Sequence, residues 1–188
     1  MLNRKYIIIL LSLVFMYLHT QVFAEPLMTD TLVLGKDTLV LNGRGTRTKL
    51  FLTMYRAGLY LSEKSGKAEK IVKDDRPMAI RLVIESSFIT SEKMEKATLE
   101  GFEKSTGGKM EQIAEEINRF VSVFREEIKE NDVYDMLYSP ASGVRVVKNG
   151  NERAVIKGLS FKQALFGIWL SPDPVQESLK KELLGENS

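Results

Sequence analysis

Asn42-Gly43-Arg44-Gly45-Thr46-Arg47-Thr48-Lys49-Leu50-Phe51-Leu52-Thr53-Met54-Tyr55-Arg56-Ala57-Gly58-Leu59-Tyr60-Leu61 is the stretch on which the reading of this chain turns. Gly43 and Gly45 allow a tight backbone path that a residue with a Cβ resists. Beyond them the residues alternate as in a strand. Arg47, Lys49, Phe51, Thr53 and Tyr55 share one face, and Thr48, Leu50, Leu52 and Met54 share the other. A permanent cation and a phenol among apolar neighbours suit an anion site with a greasy approach. A half-buried strand with a solvated face explains the same alternation. Spacing bears on the choice: a straight strand would hold Arg47 about 26 Å from Tyr55, at ~3.3 Å per residue. The two can share a ligand only if the chain bends, bulges or turns between them; otherwise Arg47 is a rim cation or an ion-pair partner.

The chain starts with Arg4 and Lys5 ahead of an apolar run, Tyr6 to Leu18, followed by Val22-Phe23-Ala24. Small residues at the −3 and −1 positions predict a secretory signal peptide over residues 1–24, cleaved after Ala24, and a periplasmic or secreted protein. The apolar run is too short for a membrane span, which needs about twenty residues. Residues 25–188 then form a single domain with no stable membrane span, no repeat and no interdomain linker.

Loss of Arg4 and Lys5 leaves 25 basic against 25 acidic residues, so the formal charge of +2 belongs to the whole chain and the remainder is neutral. That balance gives no support to nucleic-acid binding, which needs a basic surplus or stripe. There is no cysteine, and the single histidine, His19, lies within the signal peptide. Residues 25–188 therefore hold no disulfide, thiol nucleophile, Ser-His-Asp arrangement or imidazole metal site. No cofactor is expected. Any catalysis would rest on carboxylates, lysine, tyrosine, arginine or backbone groups.

Thr31–Leu34 and Thr38–Leu41 read as a hairpin about Gly35-Lys36-Asp37, with one or two further strands over the central stretch. A short helix is predicted over Lys67–Asp74, then a strand from Met78 to Ser86 with Met78, Ile80, Leu82 and Ile84 on its oily face. Thr90 or Ser91 caps a helix carrying Met94, Thr98 and Phe102, which Thr106-Gly107-Gly108 ends. A second helix carries Ile113, Ile117, Phe120 and Phe124. A meander follows over Asp132–Tyr138, Gly143–Lys148 and Arg153–Lys157, with Asn149-Gly150 as a two-residue hairpin turn. Ser160 is expected to cap a helix through Trp169, and Asp173-Pro174 to open the last one. This order suits an α+β fold, an antiparallel sheet with helices packed on one side.

Gly43-x-Gly45-x-Arg47, followed by Tyr55-x-Ala57-Gly58-Leu59-Tyr60-Leu61, resembles the opening signature of the chalcone isomerase-like superfamily. The similarity runs from about Val33 to Leu184, and it implies an open-faced β-sandwich. In the plant isomerases the first of the paired helices is entered through a tyrosine and a Ser-Glu-Lys-like step, with an asparagine four residues after the lysine. Here the run is Thr90-Ser91-Glu92-Lys93, and the asparagine position is Ala97. Lys93 is kept, while the catalytic tyrosine and asparagine are not. Tyr55 stands where those enzymes have a substrate-polarising threonine, as it does in the family's fatty-acid-binding branch. That branch pairs this tyrosine with an arginine matching Arg47.

The resemblance thus implies a non-catalytic binder of a fatty acid or similar amphiphilic carboxylate. Arg47 and Tyr55 would hold the head, Lys93 would stand by the site, and an apolar cleft would take the tail. The alternatives are an isomerase-type intramolecular lyase and an interaction or structural module without a ligand.

Overall fold

The alternating run from Arg47 to Tyr55 is not one strand. In a computed structural model describing residues 27–186, it is broken by a two-residue turn at Leu50-Phe51, whose φ angles are 48° and 67°. Two successive positive φ values make the hairpin turn that matches the twist of the flanking strands. The turn carries no glycine, asparagine or proline, so the run reads as continuous in sequence. The predicted signal peptide, with His19, lies outside the described residues.

Seven strands follow in chain order: β1 Thr31–Leu34, β2 Asp37–Lys49, β3 Leu52–Leu61, β4 Met78–Ile84, β5 Val133–Ser139, β6 Gly143–Lys148 and β7 Asn151–Ile156. They form one curled antiparallel sheet in the order β1-β2-β3-β4-β5-β6-β7, each strand bonded to its sequence neighbours. Among the described residues five α-helices complete the fold: α1 Ala68–Lys73, α2 Ser91–Thr106, α3 Ala114–Val121, α4 Leu159–Leu170 and α5 Glu177–Leu183. No helix among the described residues is long and apolar enough to cross a membrane.

Period-two alternation decides which face the helices cover. Met78, Ile80, Leu82 and Ile84 of β4 join Ala57, Leu59 and Leu61 of β3 in the main core, beneath Phe102, Ile117, Phe120, Phe161 and Leu165. Phe102, Phe120, Phe124, Phe161 and Tyr134 form a chain of rings with centroids 5.4–5.9 Å apart. The opposite face carries a smaller cluster, in which Leu34, Leu39, Tyr60 and Ala79 are covered in part by Met28. Arg81 grips Asp135 there through two bonds of 2.7 and 3.0 Å.

Three helix boundaries depart from expectation. The Ile113–Phe124 segment is interrupted, with tighter 3-10 turns at Glu111–Ile113 and Ser122–Arg125 flanking α3. Ser160 lies inside α4, whose first turn follows Gly158 at φ 109° without a side-chain cap. Asp173-Pro174 does not open α5; Gln176 precedes its first residue, and Asp173 instead accepts a bond from Lys104. Thr90 does cap α2, accepting from the Lys93 amide at 3.3 Å, and Gly107 closes it in the left-handed conformation.

Candidate functional site

The Leu50-Phe51 turn brings Arg47 and Tyr55 together. They are direct cross-strand partners in the β2–β3 hairpin, and an irregularity between Arg47 and Thr48 lies next to the pair on the side of the turn. Opposed residues in an antiparallel pair lie about 4.5–5.5 Å apart, so the separation of a straight strand does not arise. Tyr55 points to the helix side and belongs to the main core.

Tyr55 is 8 % exposed, and its hydroxyl accepts a bond of 3.1 Å from the Trp169 indole on α4, itself 5 % exposed. Burial raises the phenol's pKa, only partly countered by the Trp169 bond and the Arg47 charge. The phenol therefore stays protonated throughout the physiological range. Among the described residues, no acceptor takes its proton. Arg47 is half-buried, and its Nη1 donates to the Thr48 carbonyl at 2.6 Å and to Gln176 Oε1 at 3.0 Å. No carboxylate among the described residues pairs with it. The arrangement is a charged fork beside a neutral O–H donor, with an indole fixing the ring.

Gln176 and Glu182 set Arg47 in place. The Gln176 side-chain amide accepts from the Thr48 N–H at 3.0 Å and donates to the Thr46 carbonyl at 3.1 Å, so it completes the ladder along the part of β2 that β1 does not cover. Glu182 accepts the Thr46 N–H at 3.0 Å. The two glycines of the motif make this possible. A Cβ on Gly43 would lie 2.2 Å from the Glu182 carbonyl oxygen, and one on Gly45 would lie 2.0 Å from its carboxylate. Their role is to admit α5 against the strand.

Lys93 is exposed, and its ammonium bonds the Phe88 carbonyl at 3.1 Å. It makes no polar contact with Arg47 or Tyr55, and Ala97 is likewise exposed on α2, away from the inward Met94, Thr98 and Phe102. Trp169, Gln176 and Glu182, which order the pair, escaped the sequence reading because they join it across more than a hundred residues. Among the described residues, no cluster of three His, Cys, Asp or Glu side chains stands ready for a metal.

A shallow groove of about 680 Å³ lies elsewhere, over the outward side of α4. Ala68, Val72, Ala164, Gly167 and Leu170 make its floor, and Lys109 and Lys180 stand at its rim. Neither Arg47 nor Tyr55 lines it, so the head-group candidates and this groove are separate features.

Sequence and fold agree on the family. The chain matches the Chalcone isomerase-like family over residues 21–185, and it belongs to that family. No curated protein matches it in sequence. Among solved structures, it resembles the crystal structure of a fatty-acid binding protein from Arabidopsis thaliana, with a TM-score of 0.62 and 16 % identity, over 83 % of this chain and 96 % of that one. At that identity the likeness establishes the fold.

Proposed function

We propose that this is an exported binding protein for a fatty acid or similar small amphiphilic carboxylate, whose head group Arg47 and Tyr55 hold. The observation that carries this reading is the half-buried Arg47 guanidinium without a carboxylate partner among the described residues, set opposite a buried phenol with a proton to give. Arginine offers a planar fork that matches a carboxylate, and hydrogen bonds to charged groups contribute roughly 1.5–3 kcal/mol each. Each buried methylene of a tail adds about 0.8 kcal/mol. The fatty-acid binding protein of like fold supports the class of ligand. In this reading the tail packs into the core between the sheet and the helices, where Met94 and Met136 are unbranched and adaptable. Lys93 stays outside this reading.

Acid and methyl ester of one long-chain fatty acid, titrated against wild type, Arg47→Ala and Tyr55→Phe, test it. The arginine substitution should weaken acid binding by a few kcal/mol and the tyrosine substitution by about 1 kcal/mol, with ester binding nearly unchanged. Equal losses for acid and ester on Arg47→Ala would make the arginine a support of the fold. Turnover of a chalcone that Arg47→Ala abolishes would replace binding with the isomerase reading.

The ring-filled core favours one second reading, an interaction module without a small ligand. A melting temperature that rises with the chain length of added fatty acid rules that out, because stabilisation follows occupancy of the native state.

A further inference from the structure

We propose that the tip of the β2–β3 hairpin and the loop around Phe88 form a membrane-docking end, which inserts into the interface of an anionic lipid bilayer. Leu50 and Phe51 fill the two central positions of a turn that asparagine and glycine favour, at φ 48° and 67°. Large apolar side chains are disfavoured there by their backbone, and the core gains nothing in return. Phe51 is 105 % exposed, Leu50 83 % and Leu52 46 %. Phe88, 59 % exposed, sits on the loop that leaves β4 at the same end of the sheet, where the Glu85 amide bonds the Met54 carbonyl. The other exposed large apolar residues described, Val33, Leu99 and Leu159, belong to separate elements.

Charge identifies the occupant. From Leu41 to Leu61 the hairpin carries Arg44, Arg47, Lys49 and Arg56 and no acidic residue. Lys93 adds an ammonium against the Phe88 carbonyl. At this end Glu85 is paired with Arg56, and Glu130 accepts the Ser87 amide. Lys49 and Arg47 lie one and three residues behind the turn, about 3–10 Å back along the strand. That is the offset between a shallowly buried apolar group and the lipid phosphates. The tip is also a narrow projection. A stable protein interface buries about 1,200–2,000 Å², which calls for a broad face.

This inference does not rest on the ligand assigned to Arg47 and Tyr55, which the titration above tests in solution without lipid. It does place that pair directly behind the docking tip.

The test is flotation of the chain from Glu25 onward, which holds every described element, with vesicles of phosphatidylcholine alone or mixed with phosphatidylglycerol. Leu50→Asn with Phe51→Gly installs the residues the turn prefers, so the double variant keeps or raises the melting temperature. Wild type should float with the mixed vesicles, less with phosphatidylcholine and less at high salt. The double variant should lose about tenfold or more of that partition, and Lys49→Glu should weaken it at unchanged melting temperature. A double variant that floats like wild type overturns the proposal, as does wild type that floats with neither vesicle. Self-association in solution that the double variant abolishes, without lipid binding, assigns the tip to a second copy of the chain and also overturns it.

Discussion

Lys162 sits on α4 with no exposed surface, and its ammonium donates to the carbonyls of Ile71 at 2.9 Å, Val72 at 2.7 Å and Asp74 at 2.7 Å. It closes the C-terminal end of α1, whose last carbonyls lack partners within the helix. The rings of Tyr138 and Phe166 lie 5.5 and 5.9 Å from the nitrogen. Lys162→Met keeps the stem and leaves those carbonyls unpaired. It should cost about 2–4 kcal/mol, a fall in melting temperature of roughly 5–15 °C by circular dichroism, whereas a change below 2 °C would mean that water replaces the ammonium. In sequence Lys162 looks like any lysine near a helix start. Its burial follows from α4 being apolar on nearly every side and enclosed by α1, α2 and the sheet, a tertiary fact that local pattern does not carry. Arg47 and Tyr55 were legible, through the resemblance rather than through alternation.

At the scale of elements, the hairpins with ordinary turn chemistry were legible and the one without it was not. Gly35, at φ 63°, and Asn149-Gly150, at 50° and 78°, sit where composition put them. Leu50-Phe51 adopts the same backbone with residues that favour strand, so only the register of Arg47 against Tyr55 reveals the turn. The glycines of the motif were visible, but their use was not, because the helix they admit is packed from residues 176–183. α5 in turn guards the part of β2 that β1 leaves bare, and an unguarded edge invites pairing with another chain. Gln176→Ala removes the side-chain amide that joins Thr46 and Thr48 and so should speed hydrogen exchange at the Thr48 amide. It should also lower stability by about 1–2 kcal/mol. Unchanged exchange at Thr48 would show that the edge is protected by packing alone.

Across the whole molecule, the buried phenols and Lys162 set opposing responses to alkali. Tyr55, Tyr60, Tyr134 and Tyr138, the four tyrosines after Glu25, all have raised pKa values, with burial the first cause in each. A phenol that ionises more readily unfolded than folded draws the chain toward the unfolded state once pH passes its ordinary value of 10.0. Lys162 acts in the other direction. Burial lowers it from 10.5 to about 8, so the unfolded chain binds the extra proton between those values. Its contribution is flat below about pH 8 and grows in favour of the fold up to 10.5. Melting temperature should therefore hold or rise from pH 8 to 10 and fall beyond, and the rise should vanish in Lys162→Met. Tyrosinate absorbance in the chain from Glu25 should stay silent near pH 10 and appear together with loss of the near-ultraviolet circular dichroism. A smooth, non-cooperative tyrosinate curve centred near 10 would contradict the burial of these rings.

Because the strands pair in the order in which they occur, a chain emerging amino end first meets each partner already waiting. β2 and β3 can close as soon as residue 61 is free, and β4 to β7 can join one after another. The bare stretch of β2 is different, because its guard is carried by residues 176–182, the last described segment to arrive. For the whole interval of synthesis or passage between those two moments, the β2–β3 hairpin waits with an open side. Completion of this fold is thus a matter of timing: the latest-delivered of the described helices seals a part made early.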